Sequence, residues 1–85
     1  MDVILYTKPN CSLCEQLQDD LAWLQEELEF TVVPKEVGSD PQLFARFRYL
    51  IPVLEIAGVF YYPPHDLLQL RQRLLAALHT EAASE

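Results

Sequence analysis

The stretch TKPNCSLCEQL, residues 7–17, contains both cysteines of the chain at the point where an apolar run meets an amphipathic segment. The apolar run, DVILYT at residues 2–7, contains β-branched and aromatic residues, which predicts a buried strand that ends at KPN. Beyond the first cysteine an apolar residue recurs every three or four positions, which predicts a helix over about residues 12–29 with one buried face: Cys14, Leu17, Leu21, Leu24 and Leu28. Cys11 therefore lies between strand and helix, at or next to the helix N-cap.

A second strand and a second helix are predicted directly after this helix. Residues 30–37, FTVVPKEV, form the strand, and Pro34 predicts that it lies at a sheet edge because proline has no N–H to donate. The second helix has a strong start signal, with Ser39 or Asp40 as the cap and Pro41 at the first helical position. The strand–helix–strand order makes the first two strands parallel.

The end of the chain predicts a hairpin and a third helix. Two short strands, residues 53–57 and 59–62, flank Gly58, which suits a tight hairpin turn. A third helix is predicted within residues 63–80, and its inward face consists of leucines at helical spacing: Leu67, Leu70, Leu74 and Leu78. The resulting order is βαβαββα, which is an α/β domain with a mixed sheet.

Length and charge limit the classes of function. A chain of 85 residues has room for one domain, which we expect to span residues 1–79, with residues 80–85 as a flexible tail. The net charge of −7 and the dispersed basic residues argue against nucleic acid and anionic membranes as partners. No stretch approaches the ~20 apolar residues that cross a bilayer, and MDVILYTK lacks the features of a signal peptide, so we expect a cytoplasmic location.

The position of the cysteine pair favours redox chemistry. A thiolate at a helix N-terminus faces unpaired backbone N–H groups and the positive end of the helix dipole, and both lower the pKa of the thiol. Residues three apart in a first helical turn lie about 5–6 Å apart, within the range that a disulfide accepts. Cys14 continues the leucine face and should be buried, whereas Cys11 should lie at an exposed tip. An activated, exposed thiol beside a buried one is the arrangement of a nucleophile and a resolving cysteine.

Three other uses of the pair compete with redox chemistry. A structural zinc site usually needs four ligands, and the chain has one CxxC and two histidines, His65 and His79, near opposite ends of one predicted helix. Cys11 could instead hold an iron–sulfur cluster between two copies of the chain. The two cysteines could also be incidental thiols or a passive staple, and a staple would close a loop of about three residues, which removes little chain entropy. A cysteine pair in a chain expected in the cytoplasm is more typical of catalysis or metal binding than of a structural disulfide.

With its neighbours, the cysteine pair resembles the glutaredoxin branch of the thioredoxin-like fold over nearly the whole chain, from Val3 to about Leu78. The resemblance rests on Tyr6, on Lys8 three residues before the first cysteine, on the CxxC at a helix N-terminus and on a proline before the third strand. It implies an α/β fold with a four-stranded mixed sheet in the order 2-1-3-4, flanked by three helices. In particular, the chain looks like the small glutaredoxin-like proteins of bacteria.

The resemblance implies roles for the cysteines and for a proline step. Cys11 matches the nucleophile that attacks a disulfide sulfur, and Cys14 matches the cysteine that resolves the mixed disulfide. Ile51 and Pro52 match a cis-proline step, at which the backbone of the first residue pairs with glutathione or with a substrate peptide. Between the cysteines, the common Pro-Tyr of glutaredoxins is replaced by Ser12-Leu13.

The chain keeps some of the glutathione-binding positions of the family and departs at others. Lys8, with Arg46 or Arg48 at the end of the second helix, matches positions that often hold a glutathione carboxylate. Asp66 matches an aspartate that binds the γ-glutamyl end, although it also suits the first turn of the third helix. The Gly-Gly pair that precedes this aspartate in glutaredoxins is replaced by Tyr62-Pro63, and a proline has no N–H to donate.

The predicted function is therefore thiol–disulfide exchange that reduces protein disulfides or glutathione mixed disulfides. It implies no metal and no tightly bound cofactor, with glutathione as a co-substrate. The expected partner is a disulfide-containing protein or glutathione, without nucleic acid or membrane, and the chain is expected to be a monomer. The alternative is a non-enzymatic interaction module of thioredoxin fold, or a redox switch without turnover.

Overall fold

The computed structural model describes residues 1–83, and these contain four strands, three α-helices and one short 3-10 helix. In chain order the elements are β1 Asp2–Thr7, α1 Ser12–Leu24, β2 Thr31–Glu36, the 3-10 helix Val37–Ser39, α2 Pro41–Phe47, β3 Val53–Ile56, β4 Val59–Tyr61 and α3 Leu67–Ala83. The predicted order βαβαββα is confirmed. Among the helices of residues 1–83, none has the length and apolar character to span a bilayer.

The four strands form one mixed sheet in the order β2-β1-β3-β4, which confirms the order that the resemblance implied. β1 pairs in parallel with β2 and antiparallel with β3, and β3 pairs antiparallel with β4. Pro34 of β2 lies opposite Leu5 of β1. Because β2 is an outer strand, the strand that contains the proline is at the sheet edge, as predicted. β1 is an inner strand, and the segment with the cysteines leaves the sheet from its end.

The two faces of β1 contribute to two separate cores. Val3 and Leu5 belong to the larger core, together with buried leucines of α1 and α3: Leu17, Leu21, Leu24, Leu70 and Leu74. Tyr6 belongs to a smaller core on the other face, with Ile4 packed against it and with three further buried side chains: Val37, Phe47 and Val53. Therefore α1 and α3 cover one face of the sheet and α2 covers the other.

Helix α1 ends at Leu24, five residues before the predicted end. After it the backbone tightens, because the N–H groups of Glu26 and Glu27 donate to carbonyls three residues earlier, at 3.2 and 3.1 Å. These turns still bring Leu28 into the larger core, so the apolar spacing continues beyond the helix. The prediction of a helix over residues 25–29 is wrong because this spacing does not distinguish an α-helical turn from a tighter one.

The start of α2 decides between the two predicted caps. Asp40 is the N-cap, since its Oδ1 atom accepts the N–H of Gln42 at 2.9 Å, and Pro41 occupies the first helical position. The hydroxyl of Ser39 instead donates to the carbonyl of Glu36 at 2.8 Å, inside the preceding turn.

Helix α3 extends further than predicted. Its inward leucines are confirmed, with Leu70 and Leu74 fully buried and the outer two partly buried against the larger core. The helix continues through Ala83, so residues 80–83, expected in a flexible tail, are helical. The rest of that predicted tail, residues 84–85, lies outside the described residues, and the domain limit at residue 79 stays a prediction.

The hairpin between β3 and β4 turns at Ala57 and Gly58, which have φ values of 51° and 80°. Two left-handed residues in a two-residue loop match the twist of the flanking strands. The sequence predicted a turn at Gly58 but gave no signal for Ala57, because alanine pays a steric cost at positive φ. Each strand ends one residue earlier than predicted.

A polar contact lies between the inner strands β1 and β3. The hydroxyl of Tyr6, a residue only 5% exposed, donates to Oε1 of the half-buried Glu55 at 2.7 Å. The Tyr6 ring lies 4.8 Å from the ring of Phe47, centroid to centroid. Burial, together with the hydrogen bond to Glu55, raises the pKa of Tyr6 to about 12, so this side chain is a neutral donor across the physiological range.

We expect the substitution Tyr6→Phe to lower the free energy of unfolding by about 1–3 kcal/mol, because Glu55 loses its donor while the aromatic packing is kept. Tyr49, which is 82% exposed, gives a matched control, and Tyr49→Phe should change stability by less than about 0.5 kcal/mol. Urea denaturation of both variants measures the difference. Equal midpoints for the two variants would show that the buried hydrogen bond contributes nothing.

Candidate redox site

The two cysteines lie at the N-terminus of α1 and are joined by a disulfide. Cys11 is the N-cap, with an extended backbone (φ −110°, ψ 104°), and Cys14 lies in the first helical turn. Their Cα atoms are 5.2 Å apart, as expected for residues three apart at a helix start. The predicted position of the pair, between strand and helix, is confirmed.

The sulfur of Cys11 itself caps the helix. Its Sγ atom accepts the backbone N–H of Cys14 at 3.2 Å, and the carbonyl of Cys11 accepts the N–H of Glu15 at 3.1 Å. A helix N-terminus has N–H groups without intrahelical acceptors, and here the sulfur takes the place that a serine or aspartate oxygen usually fills. In the dithiol form, this N–H and the helix dipole would stabilise negative charge on the same sulfur.

Cys11 is more enclosed than predicted. It is 9% exposed and Cys14 is 2% exposed, so the order of exposure is as expected but Cys11 does not lie at an exposed tip. Its sulfur is turned towards the helix N-terminus, where it is bonded to Cys14 and accepts the N–H there. Hydropathy spacing could not show this orientation, because Cys11 precedes the periodic segment.

Two grooves flank the segment that contains the cysteines. In the pairing of β1 with β3, Tyr6 lies opposite Val53, so the residues after β1 and those before β3 leave the sheet at the same end. The first groove, here the cationic groove, measures about 360 Å³ and is lined by Lys8, Pro9, Val37, Gly38, Phe44, Arg48, Tyr49 and Ile51. The second, here the proline groove, measures about 370 Å³ and is lined by Leu13, Gln16, Leu17, Asp20, Pro52, Pro63, Pro64 and His65.

The cationic groove brings together three residues that the resemblance selected, which are Lys8, Arg48 and Ile51. The guanidinium of Arg48 lies 4.5 Å from the ring centroid of Tyr49, a contact that orients this charge. Arg46, the other predicted candidate, does not line the groove. Its guanidinium lies over the ring of Phe60 at 4.6 Å, which makes it a cover for the smaller core.

The Ile51–Pro52 step lies between the two grooves, because Ile51 lines one and Pro52 lines the other. Its peptide bond is cis. The carbonyl of Pro52 is bonded to Nε2 of His65 at 2.7 Å, so this step is held to the segment before α3. A carbonyl oxygen only accepts, so Nε2 carries the proton and Nδ1 is the unprotonated nitrogen.

Asp66 has a structural partner of its own. One of its carboxylate oxygens accepts the N–H of Gln69 at 3.0 Å and its carbonyl accepts the N–H of Leu70, so it caps α3. It is exposed and lines neither groove. The structure thus brings Lys8, Ile51 and Pro52 to the grooves around the cysteines, and Asp66 serves the helix.

His65 is the residue that sequence reasoning missed at this site. The sequence suggests this histidine only as a zinc ligand, whereas the structure places it in the proline groove. Its Nδ1 atom is buried and has no hydrogen-bond partner among the described residues. Burial lowers the pKa of His65, partly opposed by the bond to Pro52, so the ring is neutral near pH 7. No signal in the sequence connects a histidine after two prolines to residue 52.

Among the described residues, the remaining polar clusters and cavities lie away from the cysteines or lack metal ligands. Within residues 1–83, no three His, Cys, Asp or Glu side chains lie close enough together to hold a metal ion. A further cavity, of about 580 Å³, is lined by residues near the starts of β1 and β2, such as Met1 and Thr31. It therefore lies at the opposite end of the sheet from the cysteines.

Residues 2–81 match the family model described as Glutaredoxin-like domain (DUF836). The chain belongs to this glutaredoxin-like family. Its similar solved structures include the Northeast Structural Genomics target XcR50 from X. campestris, with 29% identity, a TM-score of 0.71, and coverage of 87% of this chain and 96% of that one. A variant of the thioredoxin-like protein BC3987 has 19% identity and a TM-score of 0.57 over 86% of this chain and 97% of its own, and it shows the fold alone. No curated protein matches the chain.

The depressed pKa of His65 predicts a dependence of stability on pH. Above the unfolded-state pKa of about 6.5, His65 is neutral in both the folded and the unfolded protein. Below that pH the unfolded protein takes up a proton on His65 that the folded protein resists, so stability decreases as the pH is lowered. We expect His65→Gln, whose amide can still donate to Pro52, to lose less stability than the wild type between about pH 7 and 5.

Denaturation at several pH values measures this difference in slope. His79→Gln, which replaces an exposed histidine of α3, is the matched control for the loss of an imidazole. If His65→Gln and the wild type show the same slope, His65 is not held neutral in the folded protein.

Proposed function

We propose that the chain is a thiol–disulfide oxidoreductase in which Cys11 is the nucleophile and Cys14 is the resolving cysteine. The observation that carries the proposal is the position of the Cys11 sulfur, which caps α1 and accepts the N–H of Cys14. A sulfur held at a helix N-terminus is stabilised as a thiolate, and the thiolate is the form that attacks disulfides. Cys14, nearly fully buried, is reached most readily from its own helix turn.

The exchange balances in two steps. The Cys11 thiolate attacks one sulfur of the substrate disulfide, the substrate S–S bond breaks, and the leaving thiolate takes a proton from solvent. The Cys14 thiol then loses its proton and attacks the Cys11 sulfur, which releases the second substrate thiol and forms the Cys11–Cys14 disulfide. The substrate gains two electrons, and the protein returns to the dithiol when an external thiol reduces it.

Glutathione fits one half of the site better than the other. Lys8 and Arg48 in the cationic groove provide two positive charges for a carboxylate. At the γ-glutamyl end, Pro63 and Pro64 have no N–H to donate, and Asp66 is already a helix cap. We therefore propose a protein disulfide as the main substrate, with glutathione as a weakly bound electron donor.

The proposal also covers the cellular compartment and the oligomeric state of the protein. Glutathione and thioredoxin systems keep thiols reduced in the cytoplasm, and a pair that cycles through a disulfide needs such a source of electrons. We therefore propose a cytoplasmic location. Because one chain contains both cysteines of the exchange, we also propose that the protein acts as a monomer.

Turnover is measured on a small neutral disulfide, with NADPH and either glutathione plus glutathione reductase or thioredoxin reductase as the electron source. We expect turnover with at least one source, and a loss of at least roughly a hundredfold for Cys11→Ser because the nucleophile is removed. Cys14→Ser should accumulate a mixed disulfide on Cys11, visible by mass spectrometry. The chain has two cysteines, so the adduct in this variant has a single possible site.

Two results would contradict the proposal. Absence of turnover with both electron sources would contradict the proposal and favour a non-enzymatic interaction module or slow redox switch. Equal adduct formation in Cys11→Ser and Cys14→Ser would contradict the assignment of the two roles.

A further inference from the structure

The proline groove has walls that suit an apolar side chain. Leu13 and Leu17 of α1 form one side, and Pro63 and Pro64 form the other. Leu13 is 58% exposed although it lies two residues from the nucleophile, so it offers apolar surface next to the reacting sulfur. The volume of about 370 Å³ holds one or two side chains of an extended segment.

The groove is poorly built for an anion. Neither proline can donate an N–H, so this backbone offers no hydrogen bonds to a carboxylate. The nearest ring nitrogen available, Nδ1 of His65, is an unprotonated acceptor, because Nε2 donates to Pro52. A carboxylate at this end would receive no N–H from the two prolines or from His65, and Gln16 is the one lining side chain whose amide could donate to it.

Asp20 gives the groove a charge preference. Within the described residues its carboxylate is the one charged group among the lining side chains, and it is half-buried. No hydrogen bond or ion pair joins it to another described residue. A partly buried carboxylate beside apolar walls favours a ligand in which a cationic group lies next to an apolar group.

We propose that the proline groove binds a segment of a protein substrate in which a large apolar residue and a basic residue lie next to the disulfide cysteine. This rests on the proposed thiol–disulfide exchange, for which it names the substrate class. The apolar side chain packs between Leu13 and Pro63-Pro64, and the basic group pairs with Asp20. The protein would then select its substrates by the residues around the substrate cysteine rather than by a γ-glutamyl group.

The test uses short cysteine peptides in a mixed disulfide with thionitrobenzoate. The Cys11 thiolate attacks the peptide sulfur, the coloured thionitrobenzoate leaves with the electron pair of the broken bond, and its absorbance gives the second-order rate constant. One peptide has leucine and lysine on both sides of its cysteine, and a second has serine and glutamate in the same places. The mixed disulfide of thionitrobenzoate with mercaptoethanol is the substrate without side chains.

For the wild type we expect the leucine–lysine peptide to react roughly tenfold faster than the serine–glutamate peptide. The ratio of the two rates should fall about threefold or more in Leu13→Gln, and by a smaller factor in Asp20→Asn. Trp23→Gln is the matched control, because Trp23 is 57% exposed on the same helix and about 15 Å further along its axis. It should keep the wild-type ratio.

Two failures are distinguishable. If reduced wild-type protein releases thionitrobenzoate from the mercaptoethanol substrate but shows equal rates for the two peptides, the groove is not a substrate site and thiol–disulfide exchange stands. The same conclusion follows if Leu13→Gln and Trp23→Gln keep the same ratio. If no substrate reacts faster than with Cys11→Ser, the proposed function fails, and this inference fails with it.

Discussion

The contact between the Cys11 sulfur and the backbone N–H of Cys14, 3.2 Å long, is the constraint on which the rest of the site depends. Because of this contact, the Cys11 side chain lies at the end of the loop after β1 and caps the start of α1. β1 is an inner strand with packed cores on both faces, and α1 is anchored by buried leucines, so both neighbours of this sulfur are fixed. The position of the Cys11 sulfur is therefore set by the hydrophobic core, as a preorganised site requires.

The two grooves give the surface beside this sulfur a polarity that the net charge of −7 does not reveal. Lys8 and Arg48 make the cationic groove locally positive. The proline groove is mostly apolar, and Asp20 gives it one negative charge. The Ile51–Pro52 step separates them, and His65 holds its carbonyl in place. A ligand that crosses this step meets opposite electrostatic environments at its two ends, and a protein segment can satisfy both more readily than a small anion.

Local signals in the sequence were sufficient for the order of the elements and for the position of the cysteine pair, because apolar periodicity and the caps act over a few residues. They were insufficient where tertiary packing decides. The end of α1 is set by tight turns that keep the same apolar spacing, and the burial of Cys11 follows from the direction of its sulfur. Arg46 and Arg48 are two positions apart, yet one covers a core and the other lines a groove. The contact between His65 and Pro52 joins residues thirteen positions apart through the path of the proline segment, which no local pattern encodes.

The central claim, that the helix N-terminus activates Cys11, is tested most directly by the pKa of this thiol in reduced Cys14→Ser. The ultraviolet absorbance of the thiolate, followed during a pH titration, gives this value without interference from a second cysteine. We expect a pKa for the Cys11 thiol below about 7.5. A pKa at or above the free-thiol value of about 8.5 would contradict it.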